Sequence, residues 1–176
     1  ITIIGSGVYG MSTAIALSQN KKNTIKMWTE SEESVKRIEA SKNNYEPLGG
    51  KSLPKGITWT SSYEDALKDA ELVLLMCAAK YVGSVCENMK PYITKNMHFL
   101  IGSKGIEQGS CRFVHEVFLD NIDTKHLGVI SGPSFAVDIA NLEPIGLSIA
   151  ARSRSTINVA QKAYKNTNIK LRKSTD

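Results

Sequence analysis

Along the whole chain, short runs of β-branched and aliphatic residues alternate with stretches in which apolar residues recur every third or fourth position. The runs predict strands at 1–4, 24–28, 57–60, 72–77, 98–101, 127–130, 145–150 and 169–172. The longer periodicity predicts helices at 11–18, 32–40, 63–69, 82–89, 112–119 and 156–165. In 82–89, Val82, Val85, Cys86 and Met89 fall on one helical face, and Ser62 with Asp65 three residues on has the form of a capping box. Strand–helix alternation of this kind means βαβ units, hence a parallel sheet covered on both faces. One stretch, 41–56, is polar, carries Pro47 and Pro54 and shows no clear period; connections of that length are usually functional or mobile. No repeat, low-complexity tract or linker divides the chain, so one domain is expected.

Composition narrows the class. At 176 residues, 41% hydrophobic and 22% charged, the chain is that of a globular domain, which excludes a disordered or fibrous protein. No apolar run approaches the roughly 20 residues of a membrane span. The chain opens directly on Ile1-Thr2-Ile3-Ile4, with no signal peptide in view. A net charge of +5 would suggest a nucleic-acid partner if it formed a patch. Acids and bases nearly balance through residue 150, however, and the excess comes from Arg152, Arg154, Lys162, Lys165, Lys170, Arg172 and Lys173 against Asp176 alone. With Ile157, Ala160, Ala163 and Tyr164 at helical spacing, that end reads as an amphipathic helix with a solvated basic face, and no nucleic acid is expected. Cys77, Cys86 and Cys111 are too few and scattered for a disulfide framework and read as reduced thiols; with His98, His115 and His126 they show no metal-ligand spacing.

The strongest chemical signal is Gly5-Ser6-Gly7-Val8-Tyr9-Gly10, directly after a strand and before an Ala-rich helix. In that context Gly5 permits the tight turn, Gly7 lets backbone amides approach a pyrophosphate and Gly10 lets the helix pack on its strand. Glu30 stands 20 residues after Gly10, where a carboxylate accepts from ribose hydroxyls and repels a 2′-phosphate, a spacing that favours NAD over NADP. The alternative is that it only supports the start of the next helix, with Glu32 and Glu33, through the dipole. Gly49-Gly50-Lys51-Ser52 matches the tail of a phosphate-binding loop, but Tyr45 occupies the position where the earlier glycine belongs, and the segment is expected to be a flexible turn. In Gly102-Ser103-Lys104-Gly105-Ile106-Glu107 a lysine follows a strand end, where an ammonium can polarise a carbonyl or hold a phosphate, or simply be solvated. In Ser131-Gly132-Pro133-Ser134-Phe135-Ala136, Ser134 can cap a helix whose amides face an anion, or be a cap and nothing more.

Together with Leu72-Val73-Leu74-Leu75, and in this order, the three segments around Gly5, Lys104 and Ser134 resemble the N-terminal domain of the soluble NAD(P)-dependent glycerol-3-phosphate dehydrogenases, a resemblance that runs to the closing Ser174-Thr175-Asp176. It implies an α/β fold, a Rossmann-type, doubly wound, mostly parallel sheet over 1–176, followed in the family by an all-helical substrate domain that these residues do not include. It sets Gly5, Gly7, Val8, Tyr9 and Gly10 against the cofactor diphosphate, Glu30 near the ribose and Ala136 beside the nucleotide. Lys104 would reach nicotinamide and substrate, and Gly132 and Ser134 the substrate. The implied reaction is reversible hydride transfer between NAD(H) and dihydroxyacetone phosphate or sn-glycerol 3-phosphate, supplying glycerolipid precursors and balancing redox. The implied whole protein is a cytoplasmic homodimer without a membrane span. Because the family usually assigns the proton to a lysine of the helical domain, these residues alone are expected to bind NAD and turn over negligibly. Glu30 departs from the Arg or His of many bacterial members, Cys77-Ala78-Ala79-Lys80 replaces a loop that often has proline, and Ile145 stands where Thr is usual. The alternatives are another two-domain dehydrogenase acting on a sugar acid or keto acid, and a non-catalytic NAD-binding or nucleic-acid-binding module.

Overall fold

A computed structural model describes residues 1–174; Thr175 and Asp176, at the end of the resemblance and of the basic segment, lie outside the described residues. The chain runs β1 (Thr2–Ile4), α1 (Val8–Leu17), β2 (Ile25–Trp28), α2 (Glu32–Ser41), β3 (Ile57–Thr60), α3 (Tyr63–Leu67), β4 (Leu72–Leu75), α4 (Val82–Met89), β5 (His98–Ile101), α5 (Val114–Asn121), β6 (Leu127–Ser131), α6 (Ala136–Ala140), β7 (Ile145–Ala151), α7 (Arg154–Ala163) and β8 (Ile169–Lys173). Each expected strand and helix is present, with ends shifted by a few residues, and α6 is an addition. The Ser31, Ser62 and Ser153 hydroxyls accept from the backbone N–H of the third residue beyond, which fixes the starts of α2, α3 and α7.

The eight strands form one sheet in the order β3-β2-β1-β4-β5-β6-β7-β8. All neighbours are parallel except β6 and β7, which pair antiparallel with Val129 opposite Ala150, a departure from the wholly parallel sheet that alternation alone implies. The chain winds outward from β1 through β2 to β3, then crosses back to place β4 on the other side of β1. That reversal leaves a crevice beyond the carboxyl ends of β1 and β4, the place where open α/β sheets bind ligands.

The pleat sorts the central strands between two cores. Ile3, Leu72, Leu74 and Leu100 face the layer filled by α1, α6 and α7, including Met11, Ile139 and Ile157. Ile4, Val73, Leu75, Phe99 and Ile101 face the layer of α4 and α5, where Phe99 and Phe118 meet at 5.2 Å. Each alternate residue is thus buried on its own side, as a strand covered on both faces requires. Val82, Val85, Cys86 and Met89 are all buried, as their spacing predicts.

The aperiodic stretch 41–56 is anchored to the body of the domain. Tyr45, Leu48 and Leu53 sink into the α1 core, Tyr45 and Lys51 form an antiparallel bridge, and Glu46–Leu48 makes one 3-10 turn. Gly49 and Gly50 hold left-handed φ of 69° and 74°, which closes the loop. Single anchors with no repeat hold it, so periodicity had nothing to detect. Among the described residues no helix is long and apolar enough to cross a membrane.

Candidate functional site: a two-part cleft at the sheet reversal

The turn after β1 is built by steric necessity. Gly5 has φ 114°, and a Cβ on it would stand 2.8 Å from Cys77 N. A Cβ on Gly10 would lie 2.1 Å from Gly5 O, so α1 can approach β1 this closely only with glycine there. Gly7 differs: it has an ordinary extended conformation, and nothing lies within 4 Å of the space a Cβ would fill. Gly7 is the N-cap of α1, no side chain caps it, and no acid occupies the first turn. A helix N-terminus left open toward free space, with its first amides uncommitted to side chains, suits a diphosphate.

Two contiguous clefts meet at Met76, Cys77 and Ala78, which leave the sheet just after β4. The first, about 820 Å³, is lined by Gly5, Ser6, Gly7, Trp28 and Glu30. The second, about 380 Å³, is lined by Val8, Tyr9, Lys104, Ser134 and Ala136. The structure therefore brings together eight of the ten residues singled out from sequence and divides them between two chambers. Gly10 and Gly132 line neither. Gly10 serves helix packing, and a Cβ on Gly132 would meet Gly146 O at 2.8 Å and Leu147 Cδ2 at 2.9 Å, so β7 demands that glycine.

At the first chamber Glu30 is strongly engaged. Thr29 Oγ1 donates to Glu30 Oε2 at 2.6 Å and Ser34 Oγ donates to Oε1 at 2.5 Å. These hydrogen bonds, Ser34 first, hold its carboxyl below the usual carboxylate range, so it is ionised at neutral pH. Glu30 lines the cleft and is tied through Ser34 to the start of α2. The Trp28 and Tyr63 rings stack at 4.4 Å and form an aromatic wall of this chamber.

In the second chamber Lys104 is an exposed residue whose ammonium is nonetheless placed: Nζ donates to Ser134 O at 3.4 Å and lies 5.0 Å from the Tyr9 ring centroid, within cation–π range. Ser134 is 7% exposed, and its Oγ is buried with no hydrogen-bond partner. The Tyr9 phenol is raised by burial, with Ser134 opposing; the two hydroxyls are neighbours without a well-formed hydrogen bond. The helix-cap reading of Ser134 fails, because Phe135 is the N-cap of α6 and no side chain caps that five-residue helix. A buried hydroxyl left unpaired costs about 1–3 kcal/mol, which a polar ligand group in the chamber would relieve.

Sequence reading assigned no role to the Cys77–Lys80 loop, yet Cys77 and Ala78 form the joint between the chambers. Their place directly after a strand at the sheet reversal was the available signal. Burial raises the Cys77 thiol and a Ser103 hydrogen bond opposes it, which disfavours the thiolate.

Fold and cleft together define a Rossmann-type dinucleotide-binding domain. Comparison with known proteins makes that specific. The chain belongs to the NAD-dependent glycerol-3-phosphate dehydrogenase family, whose N-terminus model matches residues 1–157. It is 31% identical over 177 residues to glycerol-3-phosphate dehydrogenase (NAD(P)+) of Neisseria meningitidis, covering 100% of this chain and 54% of that protein. Against the protein of the same name from Vibrio campbellii it is 34% identical over 152 residues, covering 86% and 44%. The crystal structure of glycerol-3-phosphate dehydrogenase from Coxiella burnetii superposes with TM-score 0.90 at 24% identity, over 99% of this chain and 53% of that one. The Plasmodium falciparum glycerol-3-phosphate dehydrogenase structure gives 0.86 at 21%, over 100% and 52%. The chain spans about half the length of the curated relatives it matches.

Proposed function

We propose that residues 1–176 are the cofactor half of an enzyme that passes a hydride reversibly between NAD(H) and dihydroxyacetone phosphate or sn-glycerol 3-phosphate. The observation that carries this reading is Ser134, whose buried hydroxyl is unpaired and whose carbonyl receives the Lys104 ammonium, in a chamber that shares Met76, Cys77 and Ala78 with the cleft at the glycine turn. Family membership and the names of the relatives supply the substrate class. The dinucleotide fits this chain's residues: the space beyond Gly7 admits a diphosphate, and Glu30 offers an ionised acceptor to ribose hydroxyls. Gly5 and Gly10 shape the turn, Val8 and Tyr9 at the start of α1 stand against the diphosphate, and Ala136 lies beside the nucleotide.

When bound, the cofactor supplies or accepts the hydride. This chain contributes position and charge. Lys104, braced by the Ser134 carbonyl and the Tyr9 ring, stabilises negative charge on the ketone oxygen as it develops. Ser134 Oγ takes up a substrate oxygen, and Gly132 sets the turn that carries it. The clefts hold the reacting partners in one orientation, which removes much of the entropic barrier. A homodimeric whole protein and a cytoplasmic location complete the reading, together with a helical substrate domain following this one, which alone has the relatives' greater length in its support.

The test is twofold. Calorimetry should show the 176-residue chain binding NADH, and the full reading frame should oxidise NADH with dihydroxyacetone phosphate while this chain alone turns over negligibly. No activity from the full-length protein with that substrate, but robust reduction of a keto acid, would replace the substrate assignment.

A further inference from the structure

At the ribose end of the larger chamber, Glu30 belongs to a polar cluster that reaches both inward and outward. Inward, Thr29 Oγ1, which donates to Glu30, is also 2.7 Å from Ser6 Oγ in the glycine turn. Outward, Arg37 Nη2 donates to Ser34 Oγ at 2.9 Å and stands 3.9 Å from Glu30 Oε1. Ser34 is the pivot, donating to the carboxylate and accepting from the guanidinium. The Arg37 and Glu30 side chains remain 69% and 65% exposed, and an ion pair that open contributes little to holding a fold together.

We propose that Arg37 is a second cofactor-specificity residue: it is positioned to grip a 2′-phosphate, offsets the repulsion from Glu30 and so lets the domain take NADP(H) beside NAD(H). The inference rests on the cleft being a dinucleotide site. A carboxylate that receives the ribose hydroxyls repels a phosphate at the same carbon, whereas a guanidinium matches phosphate with two parallel hydrogen bonds. Arg37 already lies within 3.9 Å of the group that would meet that hydroxyl, so a phosphate there comes within its reach without backbone movement. Glu30 cannot simply turn aside, because Thr29 and Ser34 each hold one of its oxygens. The first turn of α2 also carries Glu32 and Glu33, which oppose a phosphate, and Lys36, beside Arg37 on the same helix, adds a second cation. Discrimination at this site is therefore a contest between Glu30 and Arg37, and removing either should move it in the opposite direction.

The experiment titrates the 176-residue chain with NADH and NADPH separately, by calorimetry, with melting curves to confirm that each variant is folded. Arg37→Ala should raise the ratio of the NADPH to the NADH dissociation constant about tenfold, and Arg37→Lys, a point charge without the fork, should raise it less. Glu30→Ala should lower the ratio and make NADPH the tighter ligand. An unchanged ratio in folded Arg37→Ala, with NADH still bound, overturns this assignment and leaves the cofactor reading standing. Failure of the wild-type chain to bind NADH overturns the cofactor reading, and this inference with it.

Discussion

The two chambers of the cleft share Met76, Cys77 and Ala78 and are built on opposite principles. Around Gly5, Gly7 and Gly10 the shape is set by backbone: two glycines are sterically obligatory and the third leaves a void at a helix N-terminus. Around Lys104 and Ser134 the shape is set by side chains, and it is unfinished, with a buried hydroxyl lacking a partner and Phe135 78% exposed beside it. A backbone-made site is complete before its ligand arrives. A side-chain site of this kind has polar and apolar groups still to be satisfied, by substrate and by further protein surface.

The sharpest way to break the comparison is to treat the glycines as equivalent. In Gly10→Ala the new methyl would sit 2.1 Å from Gly5 O, so α1 must move off β1 and the domain should lose about 3 kcal/mol or more in urea unfolding. Gly7→Ala meets nothing within 4 Å and needs no unusual φ, so stability should hold. The methyl would nonetheless project where the diphosphate comes, and calorimetry should show NADH affinity falling about tenfold or more. Equal stability losses in the two variants would show that the division between packing and binding is wrong.

Lys104→Ala probes the other chamber. In the full-length enzyme, turnover with dihydroxyacetone phosphate should fall about a hundredfold, the scale seen when one donor to a developing oxyanion is removed. Melting of the 176-residue chain should barely change, since Lys104 is exposed and holds one 3.4 Å hydrogen bond. Ser134→Ala should give a smaller and split result. Deleting an unpaired buried hydroxyl removes a cost, so stability should stay level or rise by up to about 1 kcal/mol, while KM for the substrate rises about tenfold in the full-length enzyme. A stability loss in Ser134→Ala would mean the hydroxyl has a structural partner after all.

These differences also explain what the sequence disclosed. Strand and helix positions were legible because each element repeats its burial pattern: Leu72 to Leu75 alternate between two cores, and Val82 to Met89 keep one face. The glycine turn was legible because its conformation excludes other residues. The direction of β7 was not, since a strand's side chains alternate identically whichever way it runs and only pairing with β6 reveals the reversal. Nor was the 41–56 loop, anchored by Tyr45, Leu48 and Leu53 at irregular spacing. Ser134 looked like a helix cap because capping is a local inference, and one residue of offset, with Phe135 in the cap position, left its hydroxyl free. Arg37 was invisible for the same reason in reverse, because nothing in its sequence neighbourhood says that Ser34 will turn it toward Glu30.

The smallest expected effect tests whether both chambers are insulated from the opposite end of the sheet's strands. His98 opens β5 at the end opposite the cleft; it is buried, its Nδ1 lies 3.0 Å from Thr156 Oγ1, and its ring packs 4.4 Å from that of His126. Burial, then the neighbouring His126, push its pKa below the ordinary 6.5, with Glu71 opposing. A histidine whose folded pKa is depressed favours the unfolded chain once protons become available. The stability it allows is full above pH 6.5 and is lost as pH falls from there through the lower folded value. Between pH 7 and 5.5 the melting temperature of the 176-residue chain should drop on the order of 2 °C, and His98→Gln should flatten that drop. NADH affinity over the same range should stay level, because Glu30 is held ionised by Ser34 and Thr29 well below it. A parallel loss of affinity and stability would mean that protonation at the far end of β5 reaches the cleft, and the two chambers could then no longer be treated as locally built.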